Sequence, residues 1–202
     1  MVWLVAGAML AAMLAALLFS APAKATHRIQ PGWYPWQLNP GYIRSGTPRS
    51  EQLVATRATR CTGGPAGGTS LLLMYLERWW PRGESWGIYN CRLPSLHSEG
   101  RAVDYHLDIN DPADRAAGHQ ILQFFLKTVS GRDAVMARRW GVQELIYDCI
   151  YWSPSTGIRT YYRCQQPGWS RTDRHQDHIH VGQNPYGAGG YTTAYTGYWP
   201  NH

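Results

Sequence analysis

The sequence predicts an α+β domain, with a small, mainly antiparallel sheet flanked by helices and a disulfide-bridged hairpin. Three observations lead there. Strand-like stretches at Ser85–Leu93, Arg101–Ile109, Val142–Trp152 and His178–Val181 are interspersed with helical stretches in no repeating order. The run Ile150-Tyr151-Trp152, the turn-rich Ser153-Pro154-Ser155-Thr156-Gly157 and then Ile158–Arg163 spell a hairpin. Four cysteines, Cys61, Cys91, Cys149 and Cys164, form an even set without the C-x-x-C spacing of a zinc knuckle.

Composition narrows the class. At 202 residues the chain suits one domain with a real core. A hydrophobic share of 44% argues against disorder, and a charged share of 16% argues against a coiled coil. Of 19 basic residues only Lys24 and Lys127 are lysine. The formal charge of +6 is spread without any block of like charge, so no nucleic-acid partner is signalled. A modest positive charge suits an anionic setting such as a cell wall or lipid headgroups, and equally suits simple solubility.

Taken in order, Val2–Phe19 is an uncharged apolar run, and Ala23 and Ala25 then supply the small-x-small pattern of a signal-peptidase site. No basic side chain precedes the run. A cleaved signal over residues 1–25 is favoured, and an uncleaved N-terminal anchor is the alternative, the one case in which the protein meets a membrane. Either way the remainder is expected to be secreted or otherwise extracytoplasmic. In that oxidising setting two disulfides are expected, and three pairings are possible in principle. The hairpin would bring Cys149 to Cys164 and leave Cys61 with Cys91.

Residues 26–50, rich in Pro, Gly and Trp, read as an extended lead-in. The working domain is expected over 51–183. Within it Glu51–Arg60 reads as a short helix, and Thr69 or Ser70 can cap a second from Leu71 to Trp80. Asn110-Asp111-Pro112 opens a helix to about Val129, with Ala117, Ile121, Leu122 and Phe125 on one side. A further short helix near Asp133–Trp140 leads into the apolar strand Val142–Trp152. Residues 184–202 read as an irregular Gly/Tyr-rich tail.

Two segments carry chemistry: Ser95-Leu96-His97-Ser98-Glu99-Gly100-Arg101-Ala102-Val103-Asp104 and His175-Gln176-Asp177-His178-Ile179-His180. In a strand His178 and His180 point to one face. Two neighbouring imidazoles repel when protonated and waste polar atoms when buried; a divalent metal resolves both problems. His97 precedes a turn that Gly100 permits, and Asp104 follows on a strand where Ala102 leaves room. Two histidines and an aspartate make a three-ligand site with the fourth position open, the pattern of a catalytic rather than a structural metal.

The pattern S-x-H-x-x-G-x-A-x-D followed by H-x-H resembles the zinc peptidases grouped with lysostaphin, the D-alanyl-D-alanine carboxypeptidases and the murein endopeptidases. It is most similar to a poorly characterised secreted branch in actinobacteria and their phages. The resemblance implies Zn2+ held by His97, Asp104 and His180, with His178 as general base and His175 beside it. It implies metal-assisted hydrolysis of a peptide bond in peptidoglycan stem or cross-link peptides, as a carboxypeptidase or endopeptidase. An arginine would steady the oxyanion or a substrate carboxylate; Arg92 is preferred to Arg101, which strand alternation is expected to turn away from Asp104. Where some relatives place a glutamate base this chain has His175, which sets it in the histidine-base branch. The Hedgehog signalling domain, a fold relative, keeps a zinc site yet works by binding, so a non-catalytic zinc-stabilised module that binds wall or partner is the competing expectation. A weaker third is a metal-dependent hydrolase of non-wall peptides.

The remaining polar residues have plainer readings. His27, His119 and His202 read as solvated or locally bonded, and His106 as that or as a support for a ligand. Glu99 and Asp177 read as facing solvent or supporting a ligand, and Glu144 and Asp148 as a polar edge. The Tyr and Trp residues of 32–42 and 186–199 suit stacking on sugars or packing on the domain.

Overall fold

The computed structural model describes residues 51–196 apart from 52 and 130. The expected signal segment and lead-in lie outside the described residues. The elements run α1 (Gly67–Trp79), β1 (Glu84–Gly87), a 3-10 turn (Leu96–Glu99), β2 (Ala102–His106), α2 (Pro112–Leu126), α3 (Val135–Trp140), β3 (Val142–Tyr147), β4 (Ile150–Ser153), β5 (Gly157–Thr160), a 3-10 turn (Tyr162–Gln165), β6 (His178–Gln183), α4 (Pro185–Ala188) and α5 (Thr193–Thr196). The six strands form one sheet in the order β1-β2-β6-β3-β4-β5, and every neighbouring pair is antiparallel. The chain is therefore α+β, as its pattern of short strands and helices predicts.

One face of the sheet is the core. Val103 and Tyr105 of β2, Leu145 and Tyr147 of β3, and Ile179 and Val181 of β6 alternate inward and are fully buried against Leu71, Leu72 and Leu76 of α1 and Ile121 and Phe125 of α2. Tyr75 and Trp140 close the layer with ring centroids 4.5 Å apart. The buried Tyr105 hydroxyl is satisfied by the Trp80 carbonyl at 2.7 Å. The opposite face, at Ala102, Asp104, His106, Glu144, His178 and His180, is left for the site.

Several boundaries differ from the sequence reading, each for a physical reason. Residues 53–60, expected within a helix from Glu51, are not helical: the segment is a strap, with Thr56 N–H donating to Gln143 Oε1 at 3.0 Å and Gln143 Nε2 to the Thr56 carbonyl at 2.8 Å. Side chains of the domain supply partners that a helix would have supplied internally. The first helix begins at Gly67 rather than Leu71, with Ala66 at the cap position and no side-chain cap. Strand β1 stops at Gly87 instead of reaching Leu93, and α2 stops at Leu126. The apolar run Val142–Trp152 is two strands, because Asp148 and Cys149 turn the chain with φ of 47° and 63°.

The C-terminal stretch is no loose tail as far as it is described. Tyr195 is fully buried; its hydroxyl donates to the Gly68 carbonyl at 2.9 Å and accepts from Gln183 Nε2 at 2.6 Å. Two disulfides, Cys61–Cys91 and Cys149–Cys164, complete the fold in the pairing that the hairpin implies. They suit an extracytoplasmic protein. No helix among the described residues is long and apolar enough to cross a membrane.

Candidate metal centre

Strand register assembles the site. Asp104 of β2 lies opposite His180 of β6, and His106 lies opposite His178, all on the outer face. Above them sits the 3-10 turn that carries His97. It is capped by Ser95, whose hydroxyl accepts from His97 N–H at 3.3 Å, and ended by Gly100 in the left-handed region at φ 63°. A Cβ at Gly100 would stand 2.2 Å from the Gly64 carbonyl, so the turn needs glycine both for its backbone and for its neighbour. Beneath the turn, Ala102 pairs with Gly182, where a Cβ would press to 2.4 Å from Leu96. The small pair lets the turn settle onto the sheet.

The result is a triangle of donors. His97 Nε2 lies 3.1 Å from Asp104 Oδ1 and 3.2 Å from His180 Nδ1, and His180 Nδ1 lies 2.9 Å from Asp104 Oδ1. Donors held at about 2.0–2.1 Å from a tetrahedral zinc are about 3.3 Å apart, so the spacing suits a single small divalent ion. The two outer nitrogens differ. His97 Nδ1 donates to the Ile88 carbonyl at 2.9 Å, which leaves Nε2 with its lone pair toward the triangle. His180 Nε2 lies 3.2 Å from Glu144 Oε1, off the line of a good hydrogen bond and with no other partner. Burial alone would raise the Asp104 carboxyl, but the adjacent His180 and His97 rings hold it well below the usual carboxylate range. Burial also opposes charge on His180, yet Asp104 and Glu144 raise it to about 10. The two carboxylates thus favour positive charge at this point, which a proton on His180 supplies and which a divalent cation could supply in its place.

His178 stands next to this triangle. Its Nδ1 is 2.7 Å from Asp177 Oδ1, which directs Nε2 into the site, 3.6 Å from Asp104 Oδ1. Asp177 is held in turn by the Thr172 hydroxyl at 2.5 Å, so it supports a site residue instead of facing solvent. His175 is brought to 4.6 Å of His178, centroid to centroid, and 5.1 Å of Tyr161. It takes φ 54°, a conformation that a β-carbon disfavours, and its buried Nδ1 has no hydrogen-bond partner. Burial, with the neighbouring His180 and His178, pushes the His175 imidazole well below its ordinary range, so it is neutral.

These residues floor a cleft of about 580 Å³. One wall is the 86–95 segment, tied down by Cys61–Cys91, and bears Trp86, Tyr89 and Arg92. The facing wall is the 161–175 segment, tied down by Cys149–Cys164, and bears Tyr161 and Arg163. Arg92 is exposed on its wall. Arg101 is not in the site: it is only 4% exposed, bound to Glu99 at 2.7 Å and to the Gln183 carbonyl at 2.7 Å. Glu99 also accepts from Thr59 N–H at 2.9 Å, so it anchors the strap. The sequence reading missed Glu144, Arg163 and Trp86. A carboxylate inside the apolar strand Val142–Tyr147 was the available signal for the first; the others reach the cleft only through tertiary packing.

Residues 65–178 match the family model described as VldE, C-terminal domain, over more than half of the chain. The matched span includes His97, Asp104, His175 and His178 and ends two residues before His180. Comparisons with curated proteins and with solved structures found no match.

Proposed function

We propose that this chain, which belongs to the VldE C-terminal domain family, is a metal-dependent amide hydrolase that acts outside the cytoplasm on the peptides of a cell wall. The observation that carries the reading is the donor triangle of His97, Asp104 and His180 with a tautomer-fixed histidine beside it. His97, Asp104 and His180 would hold the ion, and zinc fits a site with two imidazoles, one carboxylate and an open position. When bound, such an ion supplies a usable nucleophile from water near neutral pH and polarises the scissile carbonyl.

The chain's own residues do the rest. His178 Nε2, its lone pair aimed inward by Asp177, takes the proton of the attacking water and returns it to the leaving amine. His175, neutral and packed on His178, adds no positive charge that would block that transfer. Arg92 can place paired donors on the developing oxyanion or on a substrate carboxylate. Support for a wall-peptide substrate comes from the resemblance of both motifs to the lysostaphin-type zinc peptidases and from disulfides that suit an extracytoplasmic setting.

The test is metal analysis of the purified protein together with product identification on peptidoglycan. One equivalent of zinc and release of D-alanine or cross-link fragments are expected. His178→Ala should keep the metal and lose roughly 10²- to 10⁴-fold in rate. Intact zinc, no product and sedimentation with walls would instead establish a binding module.

A further inference from the structure

Edge strand β1 breaks register with β2 at one place. Ser85 pairs with Tyr105 and Gly87 with Asp104, leaving Trp86 as the extra residue of a β-bulge. Gly87 adopts φ 132°, which side-chain-bearing residues rarely take, so the Trp-Gly pair encodes the bulge. Bulges re-aim side chains, and Trp86 lines the cleft with His178 and His97. His106 lies parallel against the indole, centroids 4.5 Å apart and planes 21° from parallel. His178 is 5.6 Å away. The indole is thus backed on one side and held beside the general base, yet Trp86 remains 47% exposed.

We propose that Trp86 is a stacking platform for a pyranose ring, so that the molecule drawn to this cleft is a sugar-bearing peptide. The link to a peptide rests on the hydrolase reading; the stacking does not. An aliphatic side chain gains most when apolar walls enclose it, whereas this cleft mixes Tyr89, Leu93 and Pro94 with the polar Asn90, Arg92 and Ser95. A pyranose needs only one apolar surface for its C–H face and keeps its hydroxyls in water or on such polar neighbours. His106, paired at 4.0 Å with Glu84, holds the indole plane from behind.

Calorimetric titration of the purified protein with a soluble tetramer of β-1,4-linked N-acetylglucosamine tests this directly. Saturable binding is expected, unchanged by chelation of metal, about tenfold weaker in Trp86→Ala and largely restored in Trp86→Phe. Trp86→Leu keeps apolar bulk without a ring and should bind as weakly as Trp86→Ala, which guards against a folding artefact. No binding by the wild type up to about 10 mM, or equal binding by the wild type and Trp86→Leu, overturns the platform. Sugar binding without hydrolysis of any wall peptide leaves the platform standing and removes the hydrolase reading. Hydrolysis of a sugar-free stem peptide without sugar binding does the reverse.

Discussion

Asp177 Oδ1 and His178 Nδ1 meet at 2.7 Å although adjacent strand residues point to opposite faces. The contact is open to them because β6 begins at His178, leaving Asp177 outside the strand with Thr172 on its other oxygen. Asp177→Asn should therefore keep metal stoichiometry and lower the rate on wall peptides roughly 10- to 100-fold, read as a fall in kcat with little change in KM. A rise in KM alone would place Asp177 in substrate binding instead.

Glu144 stands behind His180, without the close hydrogen bond that Asp177 gives His178. Its Oε1 is 3.2 Å from His180 Nε2. Glu144→Gln should weaken metal retention about 10- to 100-fold in competition with a chelator. Unchanged retention would mean that the carboxylate serves Tyr151, whose hydroxyl donates to Glu144 Oε2 at 3.3 Å.

The packing of α5 predicts a stability effect far from the site. Tyr195→Phe would strip the Gly68 carbonyl of a donor and Gln183 Nε2 of an acceptor inside the core. A loss of about 1–3 kcal/mol in denaturant unfolding is expected, with hydrolysis per folded molecule unchanged.

Asp108 sets an acid limit. The Arg171 guanidinium, with Asn110 N–H at 2.8 Å, holds its carboxyl below the ordinary value. A lowered folded pKa contributes stability above the unfolded value of about 4 that is lost as pH falls through the folded value. Thermal melts should show Asp108→Asn less stable than wild type at neutral pH, with the difference closing below about pH 4.

Local signals made much of this molecule legible. Period-2 alternation and one glycine turn put His97, Asp104, His178 and His180 on one face, the choice of His180 over His178 came from the resemblance, and the Cys149–Cys164 bridge follows from a hairpin that brings its ends together. What escaped lacked a local signature. The turn at Asp148 and Cys149 uses left-handed residues without glycine, so nothing in an apolar run announced it. The strap at 53–60 takes its hydrogen bonds from Gln143 and Glu99, far along the chain, and Tyr195 finds its place against Gly68 and Gln183. Glu144 was seen as a polar edge because its partner, His180, lies on another strand.

Each wall of the cleft is moored by its own cystine, Cys61–Cys91 on one side and Cys149–Cys164 on the other. In a reducing cytoplasm neither mooring forms. A cleft that needs both moorings is completed only where thiols can be oxidised. Oxidation would then be the last step that sets its two walls.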